Sequence, residues 1–109
     1  MSPPLPAPVA LFRDRVNAGD TDGVLALFVP DGAVIDWGRR FAGRAAIRGW
    51  SDKELVGAHG TLTITRVVGV EGEKVVVDTE WASSFFTGPG RFTFTLEGGV
   101  IRQLVISES

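Results

Sequence analysis

The chain reads as a single α+β domain in which N-terminal helices cover one face of a curved antiparallel sheet. Three observations predict this. Apolar residues recur at helical spacing in the first half of the chain, at Val9, Phe12 and Val16 and again at Ile47 and Trp50. Beyond Gly60 the period becomes two-fold, with Leu62, Ile64 and Val67 set among Thr61, Thr63, Thr65 and Arg66. The alternating stretches are long and are joined by short glycine-bearing turns. At 109 residues, 44% hydrophobic and 22% charged, the composition is that of one globular domain rather than a disordered chain.

Residues 1–8 form a proline-rich lead-in, expected to be extended and flexible, and residues 9–109 the single domain. The first helix is expected from Val9 to Asn17, ending at Ala18-Gly19, where a glycine suits the left-handed position after a helix. Asp20 or Thr21 caps a second helix over Asp22 to Phe28, and Pro30 stops it. A strand over Ala33 to Trp37 follows, then a turn at Gly38-Arg39 and a short strand at Arg40-Phe41-Ala42. Gly43 breaks the strand, and a third helix runs from about Arg44 to Leu55 with Ile47 and Trp50 on its apolar stripe. Gly57 to Gly60 is a loop, and the strand of Leu62, Ile64 and Val67 ends at a turn over Glu71-Gly72-Glu73. The next strand is expected from Lys74 to Phe86, with Val75, Val77, Thr79 and Trp81 on one side and Asp78 and Glu80 on the other. Thr87-Gly88-Pro89-Gly90 reads as a turn, Arg91 to Leu96 as a strand, Gly98-Gly99 as a hairpin turn and Val100 to Ile106 as the last strand.

Composition excludes several classes of function. The net charge is −2 and no long basic run appears, so neither nucleic acid nor an anionic membrane is an expected partner. There is no cysteine, hence no disulfide framework or thiolate metal site, and the single histidine, His59, rules out multi-histidine metal sites. No metal or other cofactor is expected. Tyrosine is absent, so no phenol can serve as an acid or an oxyanion donor. No apolar run approaches the ~20 residues that span a bilayer. The opening MSPPLPAP lacks the basic and apolar regions of a secretory signal, and a cytoplasmic location is the default expectation.

The stretch from Phe28 to Trp50 holds the most chemistry. Asp36 closes an apolar strand and Trp37 follows at once. A carboxylate among large apolar groups loses solvation, a costly placement unless something pairs or uses the charge. The bland alternative is a strand-end aspartate that caps its own turn. Arg39 and Arg40 lie close enough to pair with Asp36 and oppose the effect of burial.

A set of residues resembles the nuclear-transport-factor-2-like superfamily, especially its SnoaL-like and ketosteroid-isomerase-like members. These are Asn17-Ala18-Gly19-Asp20, Ala26-Leu27-Phe28, Pro30-Asp31-Gly32-Ala33, Val34-Ile35-Asp36 and Gly43-Arg44-Ala45-Ala46-Ile47-Arg48, in an element order that matches nearly the whole chain after Pro8. The resemblance implies an NTF2-like, cystatin-like α+β roll: a cone of curved sheet closed by helices, with an apolar pocket inside and a homodimeric assembly. It also implies a role for Asp36, which matches the general-base aspartate of ketosteroid isomerases and the acid/base aspartate of SnoaL-like cyclases. Steroid isomerisation by the family mechanism is not expected. Phe12 stands where the oxyanion-hole tyrosine would be and Gly90 where its partner aspartate would be. Losing such donors removes about 3–4 kcal/mol of transition-state stabilisation.

The expected site therefore has Asp36 as the acid/base group, with His59 as a rim partner or else a solvated loop histidine. Trp37, Phe41, Trp50, Trp81, Phe85 and Phe94 are expected to line a cavity for a small apolar molecule, the alternative being plain core. Arg91 could meet an anionic group of the ligand, cross to a carboxylate, or be a solvated strand arginine. Two functions follow. One is ligand binding in the pocket with acid/base chemistry of isomerase, cyclase or hydrolase type through Asp36. The other is a binding or dimerising module that performs no chemistry.

Overall fold

A computed structural model describes residues 4–84 and 86–109. Two helices open it, α1 over Ala7–Asn17 and α2 over Thr21–Ala26. The hairpin of β1 (Phe28–Asp36) and β2 (Arg39–Ala42) leads into α3 (Arg44–Glu54) and a short 3-10 turn, Val56–Ala58. Four long strands complete the chain: β3 (Thr61–Glu71), β4 (Lys74–Ala82), β5 (Thr87–Glu97) and β6 (Val100–Ser107). With β1 and β2 they form one six-stranded sheet in the order β2-β1-β6-β5-β4-β3. The architecture is the expected α+β arrangement of helices packed on a curved sheet. One pairing departs from a pure meander, because β6 returns to lie parallel to β1.

The helices form where their inward faces can be buried. Val9, Phe12 and Val16 of α1 are all buried, and Pro8 falls in the first helical turn, where its missing N–H removes no bond. The helix thus begins at Ala7, two residues ahead of the spacing-based start. Asn17 clamps the end of α1 to β3: its side-chain amide donates to the Leu62 carbonyl at 2.9 Å, and its carbonyl accepts from the Leu62 N–H at 2.7 Å. The Asp20 carboxylate caps α2 by accepting from the Gly23 N–H at 2.9 Å.

Several boundaries differ from the sequence reading, and β4 ends at Ala82 rather than running on to Phe86. Phe28 belongs to β1 rather than to α2, and Pro30 lies inside β1. It is tolerated because the β1–β6 register shifts between Phe28 and Ala33, a local irregularity where a ladder donor can be spared. The β1–β2 turn is Trp37-Gly38 rather than Gly38-Arg39, both residues having positive φ (52° and 85°), as in a type I′ hairpin. Finally, Thr87-Gly88-Pro89-Gly90 is not a turn. It pairs with Thr79 to Ala82 as the first part of β5. The β5–β6 pairing begins only at Arg91 and Ser107, so this stretch has one sheet neighbour, and an edge accommodates a proline.

Strand register shifts at Ile64/Arg66, Val67/Gly69 and Thr95/Leu96 bend the sheet around the helices. The solid part of the interior centres on Phe12, whose ring meets Phe28, Phe92 and Phe94 edge-on at centroid distances of 6.4, 6.3 and 5.4 Å. Among the described residues no helix is long and apolar enough to cross a membrane.

Candidate functional site

Alternation along β1 carries Asp36 inward at the strand's end, where the residue is 8% exposed. The two-residue turn then brings Arg39 directly opposite Asp36 in the hairpin register. From the other side α3 presents Trp50 and Glu54, four residues apart and therefore on one face. The Trp50 indole N–H donates to Asp36 Oδ2 at 2.9 Å, and Arg39 Nη2 donates to the same oxygen at 2.8 Å. Glu54 grips the guanidinium at both ends, accepting from Nη1 at 2.9 Å and from Nη2 at 2.6 Å. That hydrogen bonding, with the charges of Glu54 and Asp36 behind it, raises Arg39 above its ordinary pKa. Phe41 stands behind this cluster, 6.2 Å from the Trp50 ring and 5.6 Å from the Arg39 guanidinium carbon.

Only one oxygen of Asp36 is committed. Oδ1 accepts no hydrogen bond among the described residues, yet the one fully buried side-chain polar atom left without a partner is Ser51 Oγ. Oδ1 is therefore not fully buried, and Asp36 lines a cavity of about 510 Å³. Such a volume suits a small organic ligand. Trp50 and Leu55 of the α3 segment form one wall, and Thr79, Trp81 and Phe92 of the sheet another. The singly paired start of β5, Gly88 to Gly90, borders the cavity, as do the exposed rings of Trp37 and Phe86. Gly60 lets Trp81 pack closely: a Cβ there would lie 2.6 Å from the indole and 2.7 Å from the Ala82 carbonyl. Thr79 is buried and its hydroxyl donates to the Gly90 carbonyl at 3.3 Å. The indole N–H groups of Trp37 and Trp81 have no acceptor among the described residues, which leaves them as uncommitted donors beside the cavity.

The residues singled out from sequence divide sharply. Asp36, Trp37, Trp50 and Trp81 meet at this cavity. Phe94 does not: it is 1% exposed and fills the solid core against Phe12. Phe41 buttresses Trp50 and Arg39 from behind instead of lining the cavity. His59 is exposed, capping the 3-10 turn in a left-handed conformation (φ 55°), and is not among the lining residues. The solvated reading of this histidine is the one the geometry fits, because the left-handed cap turns the chain at the surface. Arg91 crosses the sheet to Asp78, Nε to Oδ1 at 2.8 Å, since the β4–β5 register sets the two opposite each other. That leaves it outside the cavity lining. Phe85 lies outside the described residues. Phe12 is buried core, and Gly90 does line the cavity.

Sequence reasoning overlooked Glu54 and Thr79 as site groups. The i,i+4 spacing of Trp50 and Glu54 was a usable signal for the first, and the inward alternation of Thr79 with Val75, Val77 and Trp81 for the second. Among the described residues no group of three metal-ligating side chains comes together.

Comparison with known proteins agrees with this architecture. The family described as the SnoaL-like domain matches residues 9–104. No curated protein matches the chain. Among solved structures, a candidate polyketide cyclase from Sinorhizobium meliloti is similar at 29% identity, with a TM-score of 0.83 over 94% of this chain and 95% of that one. An NTF2-like protein from Cytophaga hutchinsonii is 14% identical with a TM-score of 0.80, covering 94% of this chain and 87% of that one. A Mycobacterium tuberculosis protein in complex with estradiol-17β-hemisuccinate is 21% identical with a TM-score of 0.81, covering 91% and 88%. The latter two likenesses are of fold.

Proposed function

Because this chain belongs to the SnoaL-like domain family, we propose that its cavity binds a small, mainly apolar molecule and that Asp36 acts on it as a general base. The observation that carries this reading is the asymmetric use of the carboxylate. Trp50 and Arg39 hold Oδ2, which fixes the orientation of the group, while Oδ1 stays free at the edge of an apolar hollow. A base held this way needs little reorganisation to accept a proton from a bound C–H or O–H group. The indole N–H groups of Trp37 and Trp81 are the donors available to the oxygen on which charge develops. Binding of a steroid derivative by a structural neighbour supports a cavity of this shape accepting an apolar, ring-bearing molecule. A homodimer, as the family resemblance implies, is part of this proposal.

A specific observation favours a second reading, a binding module without chemistry. Arg39 and Trp50 already satisfy one oxygen of Asp36, and the chain has no tyrosine while His59 stands away from the cavity lining. The two readings separate in deuterium exchange of 2-tetralone, a bicyclic ketone with labile C–H groups beside its carbonyl. A general base accelerates exchange in D₂O above the buffer rate, and Asp36→Asn loses at least about 10²-fold of that acceleration. Tetralone that quenches tryptophan fluorescence but exchanges no faster than in buffer establishes the binding module instead.

A further inference from the structure

The walls of the cavity are apolar, but the charges set into them are unbalanced. Asp36, Glu54 and Glu108 contribute three carboxylates, and Arg39 is the only cation lining the cavity among the described residues. The lining therefore carries a net charge of two negatives, which is also the net charge of the whole chain. The rest of the protein is balanced; the imbalance is concentrated at one apolar hollow. Arg39 cannot offset it further, because its guanidinium is already bound at both ends by Glu54 and also by Asp36. An incoming anion would meet a half-exposed guanidinium whose charge those two carboxylates already offset.

A low-dielectric pocket magnifies such an imbalance, since field lines from the carboxylates are poorly screened there. Indole rings add to the same preference, because their faces attract cations. All three tryptophans of the chain border the cavity. We propose that the ligand class of this site is a lipophilic amine: an apolar, ring-sized body bearing one ammonium group, which the open Oδ1 of Asp36 accepts as hydrogen-bond donor while the indoles surround the body. This rests on the reading of the cavity as a ligand site but not on Asp36 abstracting a proton.

The test uses three naphthalene probes of nearly equal size, 2-naphthylmethylamine, 2-naphthalenemethanol and 2-naphthoate. Tryptophan fluorescence, checked by calorimetry, reports occupancy because the three indoles border the cavity. The ammonium is expected to bind at least about tenfold more tightly than the alcohol at low ionic strength, with the naphthoate weakest. That advantage should shrink as salt rises from about 10 to 500 mM. Asp36→Asn should remove most of the preference while the alcohol still binds. Glu108→Gln, at an exposed position whose change leaves the core intact, should reduce it about twofold, so the inference is testable even where Asp36→Asn does not fold. Alcohol and amine binding equally, or naphthoate binding best, overturns the amine assignment and leaves the ligand-site reading standing. Failure of all three probes to bind overturns both.

Discussion

The interior of this protein has two ends built from the same kinds of residue to opposite effect. At one end Phe28 and Phe94 meet Phe12 edge to face and close completely, with Phe12 and Phe28 at 0% exposure, while Phe92 packs on Phe12 from the boundary with the cavity. At the other end Trp50 and Trp81 border an open volume of about 510 Å³ with Asp36 at its edge. The difference is in what stands opposite each ring. The phenylalanines face one another across α1 and the middle of the sheet. The tryptophans look toward the stretch of β5 that has a single sheet neighbour and toward glycines 88 and 90, which bring no side chain to fill the gap. Where a ring must pack, phenyl groups with no polar atom suffice. Where a ring must border a site, an indole supplies an N–H as well, and Trp50 uses its N–H to hold Asp36.

The strongest way to break this comparison is to hollow the solid end. Phe94→Ala should destabilise the fold by about 3–5 kcal/mol, read as a lower urea midpoint. The fraction still folded should bind cavity probes unchanged, since Phe94 is absent from the lining. A large loss of probe affinity at full folding would mean that the two ends are not separate.

A smaller effect is expected at the open end. Trp50→Phe keeps a ring but removes the donor to Asp36, leaving a buried carboxylate with Arg39 alone on Oδ2. A loss of about 1–3 kcal/mol should follow, together with weakened probe binding. Unchanged affinity would show that Trp50 has no part in placing Asp36. Thr79→Val, nearly isosteric, removes one hydroxyl donated to the Gly90 carbonyl and should cost about 1 kcal/mol in thermal or urea unfolding.

The smallest effect should come from outside both ends and sharpen the comparison as a control. Arg91 holds Asp78 below the usual carboxylate pKa, chiefly through its hydrogen bond and against the opposing effect of burial, and Arg102 does the same for the exposed Asp31. A carboxylate depressed in the folded state contributes its stability fully above the unfolded value, about 3.9, and loses it as pH falls through the lower folded value. Wild-type stability should therefore decline below about pH 4. Arg91→Ala should be slightly less stable at pH 7, with a shallower decline between pH 4 and pH 2, and should bind cavity probes as the parent does. A change in probe affinity would return Arg91 to the site.

Much of this arrangement was legible in the residues. Helical spacing marked Val9, Phe12, Val16, Ile47 and Trp50 as inward, and two-fold alternation marked Val75 and Val77, all of which are buried. An aspartate at the end of an apolar strand, next to tryptophan, pointed to the place where charge and hollow meet. Periodicity is a local property: it says which side of an element turns inward, because side-chain direction follows backbone geometry. It does not say what lies across the interior. Phe94 and Trp81 alternate inward alike, yet one is sealed in the core and the other borders a cavity, a choice made by strand register and by where β6 stops pairing with β5. The parallel return of β6 beside β1, the pairing of Arg91 with Asp78 and the joining of Arg39 to Glu54 were likewise decided only in three dimensions. Each depends on contacts between residues far apart in the chain, or on a turn whose one-residue shift moves a guanidinium from solvent to a carboxylate.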